Sequence, residues 1–294
     1  MSTRAREADW RTQPAALAIL LAPPLGWFLL FFVAPMAIVW AYSFGTNVGA
    51  AEVAISGTFA NYGRALEPIY LGIFGRSIAI AGLATLLCLA IGFPVALAIS
   101  FAPPAAKPWL LIGIILPFWT NLLIRTFALM AVLRDEGLIN GALAALSGIL
   151  GLPFEPLRIM NTNVAVVVGL VYVHLPFMIL PVYAALDRMD RSLIEASLDL
   201  GAGHLRTIFA VVMPLAAPGI LAGLLLTFVP ALGSYLTPDL LGGPDSQMIA
   251  NVIERQFRRA NDWPFGAALA FILVYLTLLL LLVRPLFQRR APPR

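Results

Sequence analysis

Long, uninterrupted runs of apolar residues dominate the chain and alternate with shorter polar segments. A helix needs about 20 apolar residues to cross a hydrocarbon core of about 30 Å, so each run predicts one membrane-spanning helix. The predicted spans are residues 15–42, 77–101, 109–133, 163–186, 207–232 and 263–283. The pattern therefore predicts an all-α membrane protein with six transmembrane helices.

The polar segments predict a single membrane domain over residues 15–284, with an N-terminal segment 1–14 and a C-terminal tail 285–294. The apolar stretch 138–150 is too short to span a bilayer, and we expect it to lie along the membrane surface or against the bundle. Asp262-Trp263-Pro264 is typical of a helix start, with Asp as the cap and Pro in the first turn.

Composition supports a membrane protein, because 61% of the residues are hydrophobic and 12% are charged. Globular domains average about 45–50% apolar and about 25% charged residues, so the chain cannot coat a water-soluble surface. Lys and Arg are more frequent on the side that holds both termini, which predicts cytoplasmic termini. Arg255, Arg258 and Arg259 cluster on the opposite side and weaken this bias.

Several chemistries lack the residues that they need. A phosphate-binding loop requires Gly-Lys-Ser/Thr, but the only lysine, Lys107, lies between Ala106 and Pro108. Two histidines and one cysteine are too few for a four-ligand zinc site. We therefore expect no catalytic residue, no metal, no cofactor and no nucleic-acid partner, and any ATP must be bound by another protein.

The segment of about residues 187–208 is the only sizeable loop on the side of the termini. Apolar residues recur there at helical spacing, Asp190 can cap the helix start, and Gly201 can end the helix in a left-handed conformation. A second short helical segment is expected before the chain re-enters the membrane. The segment is either a compact helix-turn-helix that contacts a cytoplasmic partner or an amphipathic connector between spans.

The spacing in this loop resembles the EAA signature of ABC importer permeases. The loop has Glu195-Ala196-Ser197, three residues, Gly201, nine residues and Val211-x-Met213-Pro214, where the signature has Glu-Ala-Ala, Gly and Ile-x-Leu-Pro. Further segments resemble spermidine/putrescine transport permeases, namely Pro117-Phe118-Trp119-Thr120-Asn121, Gly169-Leu170-Val171-Tyr172, Leu175-Pro176-Phe177-Met178, Leu241-Gly242-Gly243-Pro244-Asp245-Ser246 and Asp262-Trp263-Pro264-Phe265-Gly266.

The resemblance implies a type I ABC importer permease-like bundle in a bacterial inner membrane. The implied partners are a second permease subunit, two ATPase subunits and a periplasmic solute-binding protein. It also implies that the loop faces the cytoplasm and docks on an ATPase, while Glu195 could instead be a solvated helix charge. The implied ATPase-coupling residues are Glu195, Ala196, Ser197, Asp199, Gly201 and Ala202.

Polar and aromatic residues within the spans are candidates for the substrate pathway. Arg125 is the one charge well inside a predicted span, and for it and Pro214 we expect a structural or gating role. Aromatic rings suit a small organic cation such as putrescine or spermidine through cation–π contacts. The candidates are Trp119, Asn121, Tyr172, His174, Tyr183, Tyr235 and Asp239, although rings and amides also serve as packing residues.

Two other classes are weighed against an importer permease. A secondary transporter without an ATPase partner usually needs intramembrane carboxylates or interrupted inverted repeats, and neither is evident. A membrane-embedded enzyme needs a convergent nucleophile or metal cluster, and the two histidines fall at different depths. Gly82, Gly92, Gly169 and Gly223 are small residues at possible helix contacts and are expected to pack against a second permease.

Overall fold

The computed structural model describes residues 14–49 and 52–288. They form two compact units, one containing the described residues up to 65 with residues 256–271, and the other residues 66–255 with those from 272 onward. Most of the predicted segment 1–14 and of the predicted tail 285–294 lies outside the described residues.

The first unit begins with a long, bulged helix. Helix α1 (Pro14–Phe28) continues through a π-helical stretch (Leu29–Val33) into α2 (Ala34–Tyr42). The amide of Ala34 donates to the carbonyl of Leu29, five residues back. Pro35 explains the bulge, because its ring would clash with the carbonyl four residues before it and it offers no N–H. The apolar run still extends over 26 residues, Leu17–Tyr42, and matches the first predicted span.

A small β-hairpin follows in the same unit and is absent from the sequence-based prediction. Strands β1 (Gly45–Gly49) and β2 (Glu52–Ile55) pair antiparallel, with Gly45 opposite Ile55. The strands are short and lack a clear apolar alternation, so the period-2 signal is weak. The short helix α3 (Ala60–Ala65) follows. Arg64 in α3 forms an ion pair of 2.8 Å with Asp262.

The second unit starts with the longest helix and a sharp break. Helix α4 (Pro68–Phe101) begins nine residues before the predicted start at Ser77, because Pro68 occupies its first turn. Helix α5 and a 3₁₀ turn are then separated from α6 and α7 by a bend of 95°. The bounds are Lys107–Ile115 for α5, Leu116–Trp119 for the turn, Leu122–Leu133 for α6 and Leu138–Leu150 for α7.

The prediction of one continuous span over residues 109–133 is therefore wrong. Thr120 is extended at φ −79° and ψ 148°, and the Asn121 side chain caps the new helix α6 by accepting from the amide of Leu123. Among the described residues, five helices are long and apolar enough to cross a membrane, or six when the bent pair is counted as one span. The all-helical membrane fold is thus confirmed, with a broken third span and an added hairpin.

The core of the second unit is formed by three long helices. Helix α8 (Asn163–Asp187) packs on α4 and on α11 (Met213–Leu232), with α9 (Ser192–Asp199), α10 (His204–Thr207) and a π-helical stretch (Ile208–Val212) between α8 and α11. The fully buried Met178 lies at the centre. A Cβ atom on Gly92 would lie 3.0 Å from the Met178 side chain, and one on Gly223 would lie 2.7 Å from its sulfur.

The prediction that these glycines pack against a second permease is therefore not supported by their surroundings. Gly92 and Gly223 admit Met178, and a Cβ on Gly169 would meet Leu241 at 2.4 Å. These three positions serve packing within the chain, and a Cβ on Gly82 would have none of the described atoms within 4 Å.

The C-terminal part returns through short helices to the last span. Helix α12 (Leu236–Leu241), a 3₁₀ turn (Pro244–Ser246), α13 (Ile249–Arg258) and α14 (Trp263–Gln288) complete the chain. The predicted start of the last span is confirmed, because the Asp262 carboxylate accepts from the amide of Phe265 at 3.3 Å.

Candidate functional site

Helix α9 carries the Glu-Ala-Ser segment and lies between two spans. The Asp190 carboxylate accepts from the amide of Ser192 at 3.0 Å, which satisfies one of the amides that a helix start leaves without a partner. Hydrogen bonds from the backbone and then the side chain of Ser192 hold the pKa of Asp190 below its usual value. The predicted cap is thus confirmed, and it fixes where the helix begins.

The end of α9 depends on the left-handed backbone of Gly201. Its φ is +82°, as the sequence predicts, and the amide of Ala202 donates to the carbonyl of Ser197 at 3.1 Å. This bond across five residues is the signature of a helix that ends in a left-handed residue. A Cβ on Gly201 would have no described atom within 4 Å, so the requirement for glycine comes from the backbone conformation.

The second arm of the loop is the start of a long span, with α10, the π-helical stretch and α11 running on as His204–Leu232. The Ser197 hydroxyl lies 3.0 Å from that of the buried Thr207, which ties α9 to this arm. The amide of Met213 donates to the carbonyl of Ile208, and the bulge precedes Pro214 just as the first one precedes Pro35. Pro214 therefore has a structural effect, because the helix widens into a π-helical stretch just before it and directly beside the loop.

The two arms enclose a groove of about 650 Å³. Four of the six predicted coupling residues, Ala196, Ser197, Gly201 and Ala202, line it, together with Leu193, Leu200, Arg206, Ala210, Val211, Pro214 and Leu215. Glu195 and Asp199 lie outside the lining and are exposed to solvent.

Large apolar side chains at the turn are exposed to an unusual degree. Leu200 is 89% exposed and Leu205 is 73% exposed. Beside two exposed carboxylates, they make a small knob that is apolar at its tip and acidic on its flank. Such a surface suits a protein partner that offers an apolar pocket with basic or amide groups at its rim.

The predicted pathway residues near the helix break divide into exposed and buried groups. Trp119 is 81% exposed at the end of the 3₁₀ turn, and the Asn121 side chain is occupied by capping α6 at 2.8 Å. Arg125 is 8% exposed, and its Nε has no hydrogen-bond partner among the described residues. Its guanidinium carbon lies 5.5 Å from the centre of the Phe118 ring.

On α8, Tyr172, His174 and Tyr183 have different surroundings. The His174 ring is buried and its Nδ1 lies 2.8 Å from the carbonyl of Leu170, so this nitrogen has a satisfied backbone partner. Tyr172 is exposed, whereas Tyr183 packs against the core around Met178. With a rise of about 1.5 Å per residue, Tyr183 lies about 16 Å along the helix from Tyr172.

Tyr235 and Asp239 are brought together at the start of α12. The amide of Asp239 donates to the carbonyl of Tyr235 at 3.0 Å, and the Asn251 side chain donates to the same carbonyl at 2.7 Å. Both side chains are exposed. Helix α12 approaches α8 closely because Gly169 leaves room for Leu241 and Thr237.

The pathway candidates thus form separate groups rather than one site. Arg125 lies over the Phe118 ring and His174 lies 6.1 Å from the Phe177 ring, and these two rings, which the sequence-based selection left out, have centres 5.3 Å apart. The signal for the pair was present, because Phe118 lies next to Trp119 and Phe177 lies one helical turn from His174. Among the described residues no group of three or more His, Cys, Asp or Glu side chains is placed to hold a metal ion.

Comparison with known sequences finds membrane components of transport systems. Residues 6–292 match the family described as "binding-protein-dependent transport system inner membrane component". The chain is 41% identical to the spermidine/putrescine transport system permease protein PotB of Haemophilus influenzae, over 90% of this chain and 91% of that protein. It is 42% identical to PotB of Escherichia coli, over 88% and 93% of the two chains.

Comparison with solved structures supports the same fold. A bacterial ABC transporter involved in the import of the acidic polysaccharide alginate superposes with a TM-score of 0.76 at 16% identity, over 97% of this chain and 98% of that chain. An inward-facing MetNI methionine ABC transporter gives a TM-score of 0.54 at 18% identity, over 76% and 97%. At these identities the similarity establishes the fold and carries no information on the transported solute.

Proposed function

Because the chain belongs to the family of binding-protein-dependent transport system inner membrane components, we propose that it forms half of the translocation pathway of an ATP-driven importer for polyamines. The chain is a multi-pass permease subunit of the inner membrane, as its family and its relatives are. The proposal also covers the solute, the partner subunits and the orientation in the membrane.

The observation that carries the coupling role is the geometry of the loop between α8 and α11. Its helix is capped by Asp190, ended by left-handed Gly201 and tied to the next span through Ser197 and Thr207. A loop fixed at three points moves as a unit, so force applied to α9 reaches the spans without being lost in loop flexibility. We infer that α9 docks in a groove of an ATPase subunit, with Glu195 and Asp199 contacting its rim.

Closure of two ATPase subunits would then move the loop and rock the helices between inward-facing and outward-facing states. In this proposal the partner subunits bind and hydrolyse the ATP. A second permease would complete the pathway, and a periplasmic solute-binding protein would deliver the solute. This placement of the ATPase puts the loop in the cytoplasm, and six crossings put both termini there too.

The proposed solute is a polyamine such as putrescine or spermidine, since relatives with 41% and 42% identity carry that name. Exposed aromatic side chains at Trp119, Tyr172 and Tyr235 can contact an alkylammonium chain through cation–π interactions. Arg125 would repel such a cation, so its place in the mechanism is gating rather than binding. Selectivity would then rest mainly on the binding protein.

The test is to reconstitute the tagged chain with a second permease, an ATPase and a solute-binding protein in liposomes. ATP hydrolysis should be stimulated by binding protein loaded with spermidine or putrescine and not by the empty protein. The panel should include methionine and an alginate oligosaccharide as controls. Stimulation by a control solute alone would contradict the polyamine assignment, and polyamine uptake by the chain without any ATPase would indicate a secondary transporter.

A further inference from the structure

The carboxyl end of α4 has a backbone carbonyl that its own helix cannot satisfy. In a continuing helix the carbonyl of Ser100 would accept from the amide of residue 104, or from residue 103 in a tighter turn. Both residues are prolines, Pro103 and Pro104, and proline has no amide hydrogen. Ala102 is extended, with ψ 153°, as expected for a residue before proline. An external donor is therefore needed at this helix end.

Arg191 of the coupling loop supplies that donor. Its Nη2 donates to the carbonyl of Ser100 at 2.8 Å, and its guanidinium carbon lies 5.1 Å from the centre of the Phe101 ring. Ser100 itself is buried, so the bond joins the loop to the interior end of α4. A cation at the end of a helix also interacts favourably with the helix dipole of α4.

Arg191 gains no stabilisation from the dipole of α9, so its favourable contacts are those with α4. Arg191 directly precedes α9, where a basic side chain meets the unfavourable, positive end of the helix dipole. Its partner is Ser100, which is 91 residues away in the sequence. Ile194 of α9 packs against the buried cluster that contains Ile99 of α4, so an apolar contact supports the same connection.

We propose that Arg191 is the positioning residue that transmits movement of the coupling helix to α4. The link to α11 through Ser197 and Thr207 pulls on one span, and the Arg191 link pulls on a second span at the same time. Helix α4 then moves with α9 instead of sliding past it. This inference rests on the proposed ATP-driven import, and it adds the connection through which docking at α9 reaches the helix bundle.

The experiment uses the whole complex in liposomes and compares Arg191→Met with Arg191→Lys. Methionine keeps an unbranched apolar stem and removes every donor, while lysine keeps a charged donor without the planar fork. Three quantities are measured, namely ATPase subunit retained with the permease, hydrolysis without binding protein, and the stimulation factor with spermidine-loaded binding protein. Arg158→Ala, which removes an exposed arginine of a distant loop, is the control for lost charge.

We expect Arg191→Met to retain the ATPase and its unstimulated hydrolysis while the stimulation factor falls about fivefold or more, as coupling energies between sites typically allow. Arg191→Lys should recover at least half of the factor, and Arg158→Ala should match the unchanged chain. Unchanged stimulation in Arg191→Met would overturn the proposal. Loss of the ATPase from Arg191→Met would also overturn it, because that result assigns Arg191 to docking.

The outcomes separate this inference from the proposed function. If the unchanged chain retains no ATPase and shows no stimulation, the proposed function fails. If the unchanged chain is stimulated and Arg191→Met is stimulated equally, only the inference about Arg191 fails. Should Arg191→Met not accumulate, Arg191→Lys decides. A stimulation factor below half that of the unchanged chain would then overturn the proposal, because lysine keeps a charged donor.

Discussion

The coupling loop around Gly201 and the helix break around Asn121 both interrupt apolar sequence, and they differ in how the interruption is built. At Gly201 the chain turns because a residue without a side chain takes φ +82°, and both flanks are fixed by local hydrogen bonds. At Asn121 the chain turns by 95° after a 3₁₀ turn, and the Nε of the buried Arg125 just beyond has no hydrogen-bond partner within the described part of the chain. The first region is complete within this chain, whereas the second has a polar group left to satisfy.

In the proposed importer, this difference separates a docking surface from a site inside the helix bundle. The loop presents exposed apolar and acidic side chains on a helix that is capped at its start and closed by a left-handed residue at its end, which suits a rigid contact with another protein. The break presents a buried arginine over the Phe118 ring, which suits a place where another group compensates the charge only in some states of the assembly.

The largest effect is expected for Gly201→Val. Valine is β-branched and strongly disfavours the left-handed region, so the loop would carry about 1–3 kcal/mol of strain or lose its shape. Because 1.4 kcal/mol corresponds to a factor of ten, uptake should fall about tenfold or more at equal expression. Radiolabelled spermidine uptake into vesicles that contain equal amounts of each variant measures this.

Gly203→Val is the matched control for that variant. A Cβ on Gly203 would also have no described atom within 4 Å, but its φ is −71°, which any residue adopts. We expect nearly normal uptake from Gly203→Val. Equal losses from the two variants would show that valine bulk at the loop matters, and would refute the role of the left-handed backbone.

A smaller effect is expected for Glu195→Ala, since it removes one exposed carboxylate and leaves the loop backbone intact. An ion pair or charged hydrogen bond at an exposed rim contributes about 0.2–1 kcal/mol, so ATPase binding should weaken by less than about tenfold. Titration of the ATPase onto the permease in detergent measures the change in Kd. Unaltered binding would indicate that Glu195 is a solvated helix charge.

At the helix break, Arg125→Leu should not destabilise the chain. Its Nε has no hydrogen-bond partner to lose among the described residues, and a charge buried inside a span costs free energy that an apolar side chain does not. The thermal midpoint of the purified permease should stay the same or rise, while uptake falls if the guanidinium has its gating role. A midpoint lowered by many degrees would show that Arg125 holds the bundle together.

The smallest effect is expected for Asn121→Ala, which removes the side-chain cap of α6. Loss of such a cap costs about 1 kcal/mol of stability. The thermal midpoint should fall by a few degrees, and hydrogen exchange should rise first in the opening turn of α6. No change in that turn would indicate that the break is fixed by packing alone.

Local signals explain which features the sequence predicts correctly. The cap at Asp190, the left-handed Gly201 and the start at Asp262 each depend on residue types within a few positions, so they can be recognised without a structure. The apolar runs predict the spans because bilayer thickness sets their length. The break at Asn121 carried a readable signal too, an Asn cap four residues after Pro117, but the continuous apolar run outweighed it.

Features that depend on distant residues could not be predicted. The Arg76 side chain in α4 donates to the carbonyl of Asp245, which is 169 residues away in the sequence. The pairing of Arg191 with Ser100 requires the fold to bring the start of α9 next to the carboxyl end of α4. The glycines Gly92, Gly169 and Gly223 were expected to contact a second subunit, and only the structure shows that Met178 and Leu241 of the same chain fill these positions.

The most direct measurement of the central claim is cross-linking from the tip of the loop to an ATPase subunit. A single cysteine at Leu200, which is 89% exposed, is compared with one at Ile149 on α7, which is 82% exposed, after the buried Cys88 has been replaced. With a short bifunctional thiol reagent on the assembled complex, the account predicts a cross-link to the ATPase from Leu200→Cys and none from Ile149→Cys. A cross-link from Ile149→Cys alone, or none from either in a complex that still hydrolyses ATP, would contradict it.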